Sequence, residues 1–306
     1  MLRYDDLQVF VHTSDSGSLS AAARQLEISP AVASAALKRL ESELEVRLFA
    51  RSTRSLRLTP EGDAFLLHAR ASLRSLEEGR RLLQGGKDQI AGVLQLSAPS
   101  DFGRNLLLPW LDEFQARYPQ LSLRLLLGDR VTDLYRQPVD VAIRYGAPAD
   151  SSLVALPLAP DNRRVLCAAP AYLAERGEPR QPDDLREHNC LLYQLGGRVH
   201  DRWAFQRGRR SLTLTVAGDR VCDDADVVRR WALAGKGLVY KSWLDVTEDV
   251  RVGRLRLLLP EWQGEATPMN LLCTHRAQLT RPVTLLRAFV RERCDALLAE
   301  APWTRN

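Results

Sequence analysis

The chain predicts two unlike parts joined by one long helix, and three observations carry that reading. Residues 17 to 62 give a short helix, a tight turn, a second helix, a small basic hairpin and the start of another helix. That order is a winged helix-turn-helix, an arrangement that lays one helix in the major groove of DNA. From Thr59 apolar residues then keep spacings of three and four over about 25 residues, the period of a long helix. From residue 93 strand-like runs alternate with helix-like ones, the texture of an α/β domain.

Each element has a local reason. Leu7, Phe10 and Val11 recur at helical spacing and give a first helix one apolar face. Ser18 is a good N-cap for the second helix, where Ala21, Ala22 and Ala23 permit close approach. Leu26 and Ile28 turn the chain inward. Ser29 caps the third helix, and Pro30 takes its first position, where a missing N–H costs nothing. Leu37, Leu40 and Leu44 lie on one side of that helix, with Val32 and Ala33 on or near it. Ala31, Ser34, Ala35 and Lys38 lie opposite. A face so bare of long side chains suits a buried helix or a base-reading one equally.

The hairpin weighs on that choice. Between Arg47 and Leu58 stand Arg47, Arg51, Arg54 and Arg57 with no acid, although residues 1 to 60 carry eight Lys/Arg against seven Asp/Glu. Concentrated arginine beside Ser52, Thr53 and Ser55 suits phosphate contact, the main source of affinity for DNA; alone it would also suit a solvated loop. Thr59, Pro60 and Glu61 then supply a cap, a first-position proline and an early acid. Leu66, Ala69, Leu73, Leu76, Arg80 and Leu83 follow as an a/d seam, Arg80 being the poor fit. Such a stripe needs burial, against a symmetric partner or against its own domain. Gly85 and Gly86 end the helix, and the run to Gly92 reads as a hinge.

Residues 1 to about 87 resemble the N-terminal module of LysR-type transcriptional regulators. The match lies in Leu7 to Phe10, GSLSAAA at 17–23, LKRLE at 37–41, RLF at 47–49, RSTR at 51–54 and LTPEG at 58–62. The resemblance implies a double-stranded DNA operator bound by a homodimer or tetramer, with the linker helix as dimer contact. The DNA-contacting set is then Ser18, Ser20, Ser29, Pro30, Ala31, Ser34, Ala35, Lys38, Arg51, Ser52, Thr53 and Arg54. Many family members carry glutamine in place of Pro30 and arginine in place of Ala35, so two bidentate base readers are missing here. Weaker direct readout is expected, with Ala31 and Ala35 able to meet thymine methyls and more specificity coming from the wing and DNA shape.

In the second part the strands expected are VLQLSA at 93–98, LSLRLLL at 121–127, VDVAIRY at 139–145 and RVLCAA at 164–169, with a helix carrying Trp110 and a short helix near Leu134. Their alternation predicts a parallel sheet. DVAIRYG at 140–146 and AYL at 171–173 resemble the effector domain of the same family, which implies two α/β lobes like a periplasmic solute-binding protein. The domains are then 1–59, linker 60–87, and 92–306, with lobe I at 92–163 and 267–306 and lobe II at 164–266. The chain would cross near 161–165 and return near 265–270, Leu271 to Cys273 rejoining the first sheet before a helix at 282–299.

A ligand in such a cleft sits at strand C-termini and helix N-termini. The effector-binding candidates are Ser100, Asp101, Phe102, Arg144, Tyr145, Trp203, Asp224, Tyr240 and Lys241. Arg144 and Lys241 suit an anionic small molecule or a structural ion pair. The serine and the aspartates, Asp223 and Asp226 among them, suit helix capping as well, and Trp203 suits the core of lobe II.

Composition narrows the alternatives. A net charge of +5 over 306 residues permits nucleic-acid binding. Five widely spaced cysteines fit a reducing cytoplasm and argue against zinc. Buried thiols are the expected reading, with an oxidant-sensing Cys190–Cys222 pair as the alternative. The five histidines lack metal or triad spacing, and no nucleophile elbow, zincin motif or P-loop occurs, so neither enzyme nor cofactor is expected. An exported solute-binding protein would fit the second part but not the basic front, and no signal peptide or membrane span is read. RNA polymerase is the remaining partner class for a regulator of this kind.

Overall fold

A computed structural model describes residues 1–51, 56–84, 90–129, 139–146, 153–195 and 197–304, and it divides into two compact units, residues 1–89 and 90–306. The short helix expected near Leu134 and the hinge glycines Gly85 and Gly86 lie outside the described residues.

The first unit runs α1 (Tyr4–Ser16), α2 (Leu19–Gln25), α3 (Pro30–Leu44), β1 (Phe49–Arg51), β2 (Leu56–Leu58) and α4 (Pro60–Gln84). Gly17, at φ 64°, ends α1 in the left-handed conformation that glycine takes most readily. The Ser18 hydroxyl then accepts from the Ala21 amide at 3.4 Å and starts α2. Ala22, Ala23, Ala33 and Ala36 are buried where α1, α2 and α3 meet, small enough for the backbones to close up. The larger core gathers Phe10, Leu37, Leu40 and Leu48, with Phe10 packed at 5.6 Å from both Phe49 and Phe65. Leu66 and Ala69 of α4 belong to this core, whereas Leu76 is 58% exposed. The seam therefore serves two purposes: its first turns pack on their own domain, and its exposed stripe begins beyond them.

The second unit holds two mixed sheets. In the first, β4 (Leu121–Leu127), β3 (Gly92–Ala98), β5 (Val141–Tyr145), β16 (Met269–Cys273) and β6 (Val154–Ala159) lie side by side in that order. In the second the order is β12 (Val221–Cys222), β8 (Cys190–Leu195), β13 (Leu238–Ser242), β7 (Arg164–Ala168) and β14 (Arg256–Leu258), with β9 (Arg198–Val199) on β8. A separate ribbon joins β11 (Arg210–Thr215), β10 (Arg202–Arg207) and β15 (Gln263–Gly264). The helices are α5 (Ser100–Phe102), continued through a π turn at Gly103–Leu107 into α6 (Leu108–Arg117), then α7 (Pro170–Arg176), α8 (Ala225–Leu233), α9 (Trp243–Arg251) and α10 (Arg281–Leu298).

The parallel pairing expected from the alternation forms within each sheet, β3 with β4 and β5 and β8 with β12 and β13, but each sheet also takes in antiparallel strands. β16 runs antiparallel to both β5 and β6, and β7 antiparallel to both β13 and β14. The reason is topological. Apart from the short β9, which runs antiparallel to β8, the other strands of each sheet share one direction, while β7 and β16 are the strands that enter from the opposite lobe and so run the other way. Alternating runs reveal βαβ units but not the direction of a strand arriving from a second lobe. The chain passes from the first sheet to the second between β6 and β7 and returns between β15 and β16.

Candidate DNA-reading face and ligand cleft

In the first unit α3 presents Ala31, Val32, Ala35 and Lys38 to solvent, with Ser34 half-buried, and turns Ala33, Ala36, Leu37, Leu40 and Glu41 inward. Val32 thus departs from the expected side: it is 51% exposed on the face opposite the core. Ser29 caps the helix by accepting from the Val32 amide at 3.3 Å, and Pro30 sits exposed at its first turn. Ser20 is exposed on α2, and Ser18 is half-buried at its start.

A buried carboxylate ties this helix to the hairpin. Glu41 accepts from the backbone amides of Leu48 at 2.9 Å and Phe49 at 3.3 Å and from Arg47 at 3.0 Å. It thereby fixes where β1 leaves α3. Thr59 closes the other end, donating to the Arg47 carbonyl at 2.6 Å and accepting from the Gly62 amide at 2.9 Å. Gly62 itself has no room for a side chain, because a Cβ would lie 2.1 Å from the Leu48 carbonyl oxygen. Arg57 is exposed on β2, opposite Ala50 of β1. Arg51 ends β1; its side chain, and Ser52, Thr53 and Arg54, lie outside the described residues.

In the second unit a cleft enclosing about 570 Å³ of free space, solvent at its mouth included, lies between the lobes. Of the candidates, Asp101, Arg144, Tyr145 and Lys241 line it, together with Asp129, Arg164, Tyr193 and Asp245, which the sequence reading did not single out. Strand-end position singled out the first group. Arg164 and Tyr193 lie on strands of the second sheet, and no motif marked either.

The polar groups are already engaged with one another. Lys241 forms an ion pair with Asp101, lies 3.5 Å from Asp245 and donates to the Ala225 carbonyl at 3.0 Å. Tyr145 donates to Asp245 at 2.5 Å. Burial pushes the Asp101 carboxyl up to about 7, against the opposing pull of Lys241. Burial alone would lower the Lys241 ammonium; Asp101 and Asp245 outweigh it and hold it above its ordinary value. Ser100 donates its amide to Asp129 at 2.9 Å and its hydroxyl to the same carboxylate, which also accepts from the Ala225 amide at 2.9 Å. Asp224 caps α8 by accepting from the amides of Asp226 and Val227, and pairs across the cleft with Arg104 at 2.9 Å. Asn105 bridges Asp101 at 2.7 Å and Asp226 at 2.9 Å. These contacts run from α5 and its continuation in lobe I to α8, β13 and α9 in lobe II.

Three expected ligand contacts belong to the core instead. Trp203 is 1% exposed, stacks on Tyr240 at 5.2 Å and donates to the His200 carbonyl at 3.1 Å. Tyr240 spends its hydroxyl on the Ala204 carbonyl at 2.5 Å and the Glu265 amide at 2.6 Å. Neighbours on a strand face opposite ways, so the placement of Lys241 in the cleft turns Tyr240 from it. Phe102 is fully buried against Trp110 and Tyr145. The cysteine pair fails as well. Cys222 stands opposite Tyr193 on β8, three residues along from Cys190, roughly 10 Å and beyond disulfide reach. Burial raises the thiols of Cys167, Cys190, Cys273 and Cys294. Among the described residues no acid, histidine or cysteine cluster could hold a metal, and no helix is long and apolar enough to cross a membrane.

Comparison with known proteins agrees with both halves. Residues 4–63 match the bacterial regulatory helix-turn-helix protein, lysR family, and residues 87–295 match the LysR substrate binding domain. The chain is 32% identical to the Escherichia coli transcriptional regulator DmlR, covering 86% of this chain and 85% of that one. It is equally similar to the E. coli transcriptional activator TtdR, over 92% and 89% of the two chains. Among solved structures, the LysR-type regulator CrgA from Neisseria meningitidis is 31% identical, with a TM-score of 0.59 over 94% of this chain and 98% of that one. A full-length OxyR variant from Pseudomonas aeruginosa shares the fold, with a TM-score of 0.68 at 20% identity over 95% and 98%. The chain belongs to the LysR family: it is a DNA-binding transcriptional regulator with an effector-binding domain.

Proposed function

We propose that the protein binds an operator as a dimer joined through α4, assembling further to a tetramer, and that a small molecule in the inter-lobe cleft shifts the relative angle of its reading heads. The observation that carries this is the exposed face of α3 beside a hairpin rich in arginine, held together by Glu41. Two such heads on a twofold axis would meet half-sites about one helical turn, or a multiple of it, apart. The DNA contacts we assign are Ser18, Ser20, Ser29, Pro30, Ala31, Ser34, Ala35 and Lys38, with Arg51, Ser52, Thr53 and Arg54 on phosphates.

The effector contacts we assign are Ser100, Asp101, Arg144, Tyr145 and Lys241, joined by Asp129 and Arg164. Asp224, at the α8 cap, takes part through its pair with Arg104. An anion is the ligand class favoured by Arg144, Arg164 and Lys241, although Lys241 is balanced by Asp101 and Asp245 and Arg164 pairs with Glu265 at 2.6 Å. Coupling between the two sites has the usual size of about 1 to 3 kcal/mol. The protein acts in the cytoplasm, on RNA polymerase recruited at the same promoter, and carries out no catalysis.

Replacing Arg51 by alanine tests the phosphate assignment. Affinity should fall about equally for all sequences, and the slope of log K against log salt should flatten by about 1. Unchanged affinity and slope would remove the hairpin from the interface.

A further inference from the structure

The groove-facing side of α3 carries methyl groups and almost no hydrogen-bonding reach, and we propose that it selects its site by contact with thymine 5-methyl groups, with Val32 setting the preference. This rests on the DNA-binding reading above and names how that same surface discriminates. Residues 31, 32, 35 and 38 fall on one helical face. Three of the four are alanine or valine, and all are exposed. Val32 stays 51% exposed while its neighbour Ala33 is fully buried, so the larger apolar side chain points away from the core that could have used it.

The polar groups nearby are committed or ill suited to reading bases. Arg39 forks onto Asp6 of α1, its Nη2 at 2.6 Å and Nε at 3.2 Å, and so is held against its own domain. Ser29 has its oxygen on the Val32 amide. Ser34 is half-buried, and Lys38 offers a point charge without a fork. No planar side chain on this face can grip guanine or adenine in two places. The feature of the major groove complementary to a methyl is the 5-methyl of thymine; cytosine in its place presents only a C5–H there and loses the apolar contact. The basic hairpin beside the face, with Arg47 and Arg57 exposed, brings phosphates to the same surface.

The test uses full-length protein and duplexes enriched by it from a random pool, resynthesised with deoxyuridine in place of thymidine. One buried methyl is worth about fourfold in affinity, so two half-sites should lose on the order of tenfold. 5-Bromodeoxyuridine, whose bromine fills the methyl volume, should restore binding. Val32→Ala should fold normally, because the residue is exposed, and should shrink the thymidine-to-deoxyuridine ratio while leaving affinity for the deoxyuridine duplex nearly unchanged. Equal wild-type affinity for the two duplexes would overturn the proposal, as would a Val32→Ala loss of the same factor on both. Enrichment of no sequence, with salt-sensitive binding intact, would also overturn it and leave the DNA-binding reading standing. Absence of binding to any duplex at low salt would overturn both.

Discussion

At the scale of single residues, Asp101 couples the cleft to pH. Its carboxyl sits at about 7 when folded and near 3.8 in an unfolded chain, so the folded state holds the extra proton between those limits. The stabilisation is present below the unfolded value and is lost as pH rises through about 7, with a slope of at most about 1.4 kcal/mol per pH unit. Thermal denaturation should therefore show the effector domain weakening from mildly acidic to neutral pH, and Asp101→Asn should flatten that slope. An unaltered slope in the variant would assign the dependence elsewhere. Ser100 gives a second prediction. Ser100→Ala loses a contact to Asp129, and in a gel-shift titration it should keep basal DNA affinity while losing the ligand response. Loss of basal binding would instead point to a folding role. The sequence marked both residues by their place after a strand. It did not mark Asp129, whose role appears only when the chain brings it back beside Ser100 and the Ala225 amide that opens α8.

Among elements, the junction between α3 and the hairpin is the most exactingly built part of the reading head. Glu41 satisfies two backbone amides that nothing else described reaches. Glu41→Ala leaves them buried and unpaired, at a cost of roughly 3 kcal/mol. A lowered melting temperature for residues 1–89 together with weaker DNA binding is the expected result, measured by calorimetry and gel shift; a variant as stable as the parent would contradict this role. The LTPEG run was legible as a helix start from its cap and proline, and the space occupied by Leu48 explains its glycine. Helix boundaries were legible because caps are local: Ser18, Ser29 and Thr59 all cap as composition implies. The side taken by Val32 was not, since a face holding only alanine, serine and valine gives the periodicity little contrast. Strand direction was likewise not legible, being set by the return path between lobes.

For the whole molecule, the dimer contact proposed through α4 is the feature on which operator binding would depend. Leu76 stands exposed on α4 after Leu66 and Ala69 have packed on the head. Charging it should break a twofold contact without touching the domain core. Leu76→Asp should sediment as a smaller species and lose on the order of a hundredfold in operator affinity. Unchanged sedimentation would place the dimer contact elsewhere. The order of the two parts was legible because motif order runs along the chain. Which cleft side chains neutralise one another was not, because Asp101 and Lys241 are 140 residues apart in sequence. The most direct test of operator binding by a dimer is a footprint on the DNA upstream of the protein's own coding sequence, titrated from low to moderate salt. A protected, roughly palindromic site is expected, with half-sites one helical turn or a multiple of it apart. Protection of nothing at any salt would contradict it.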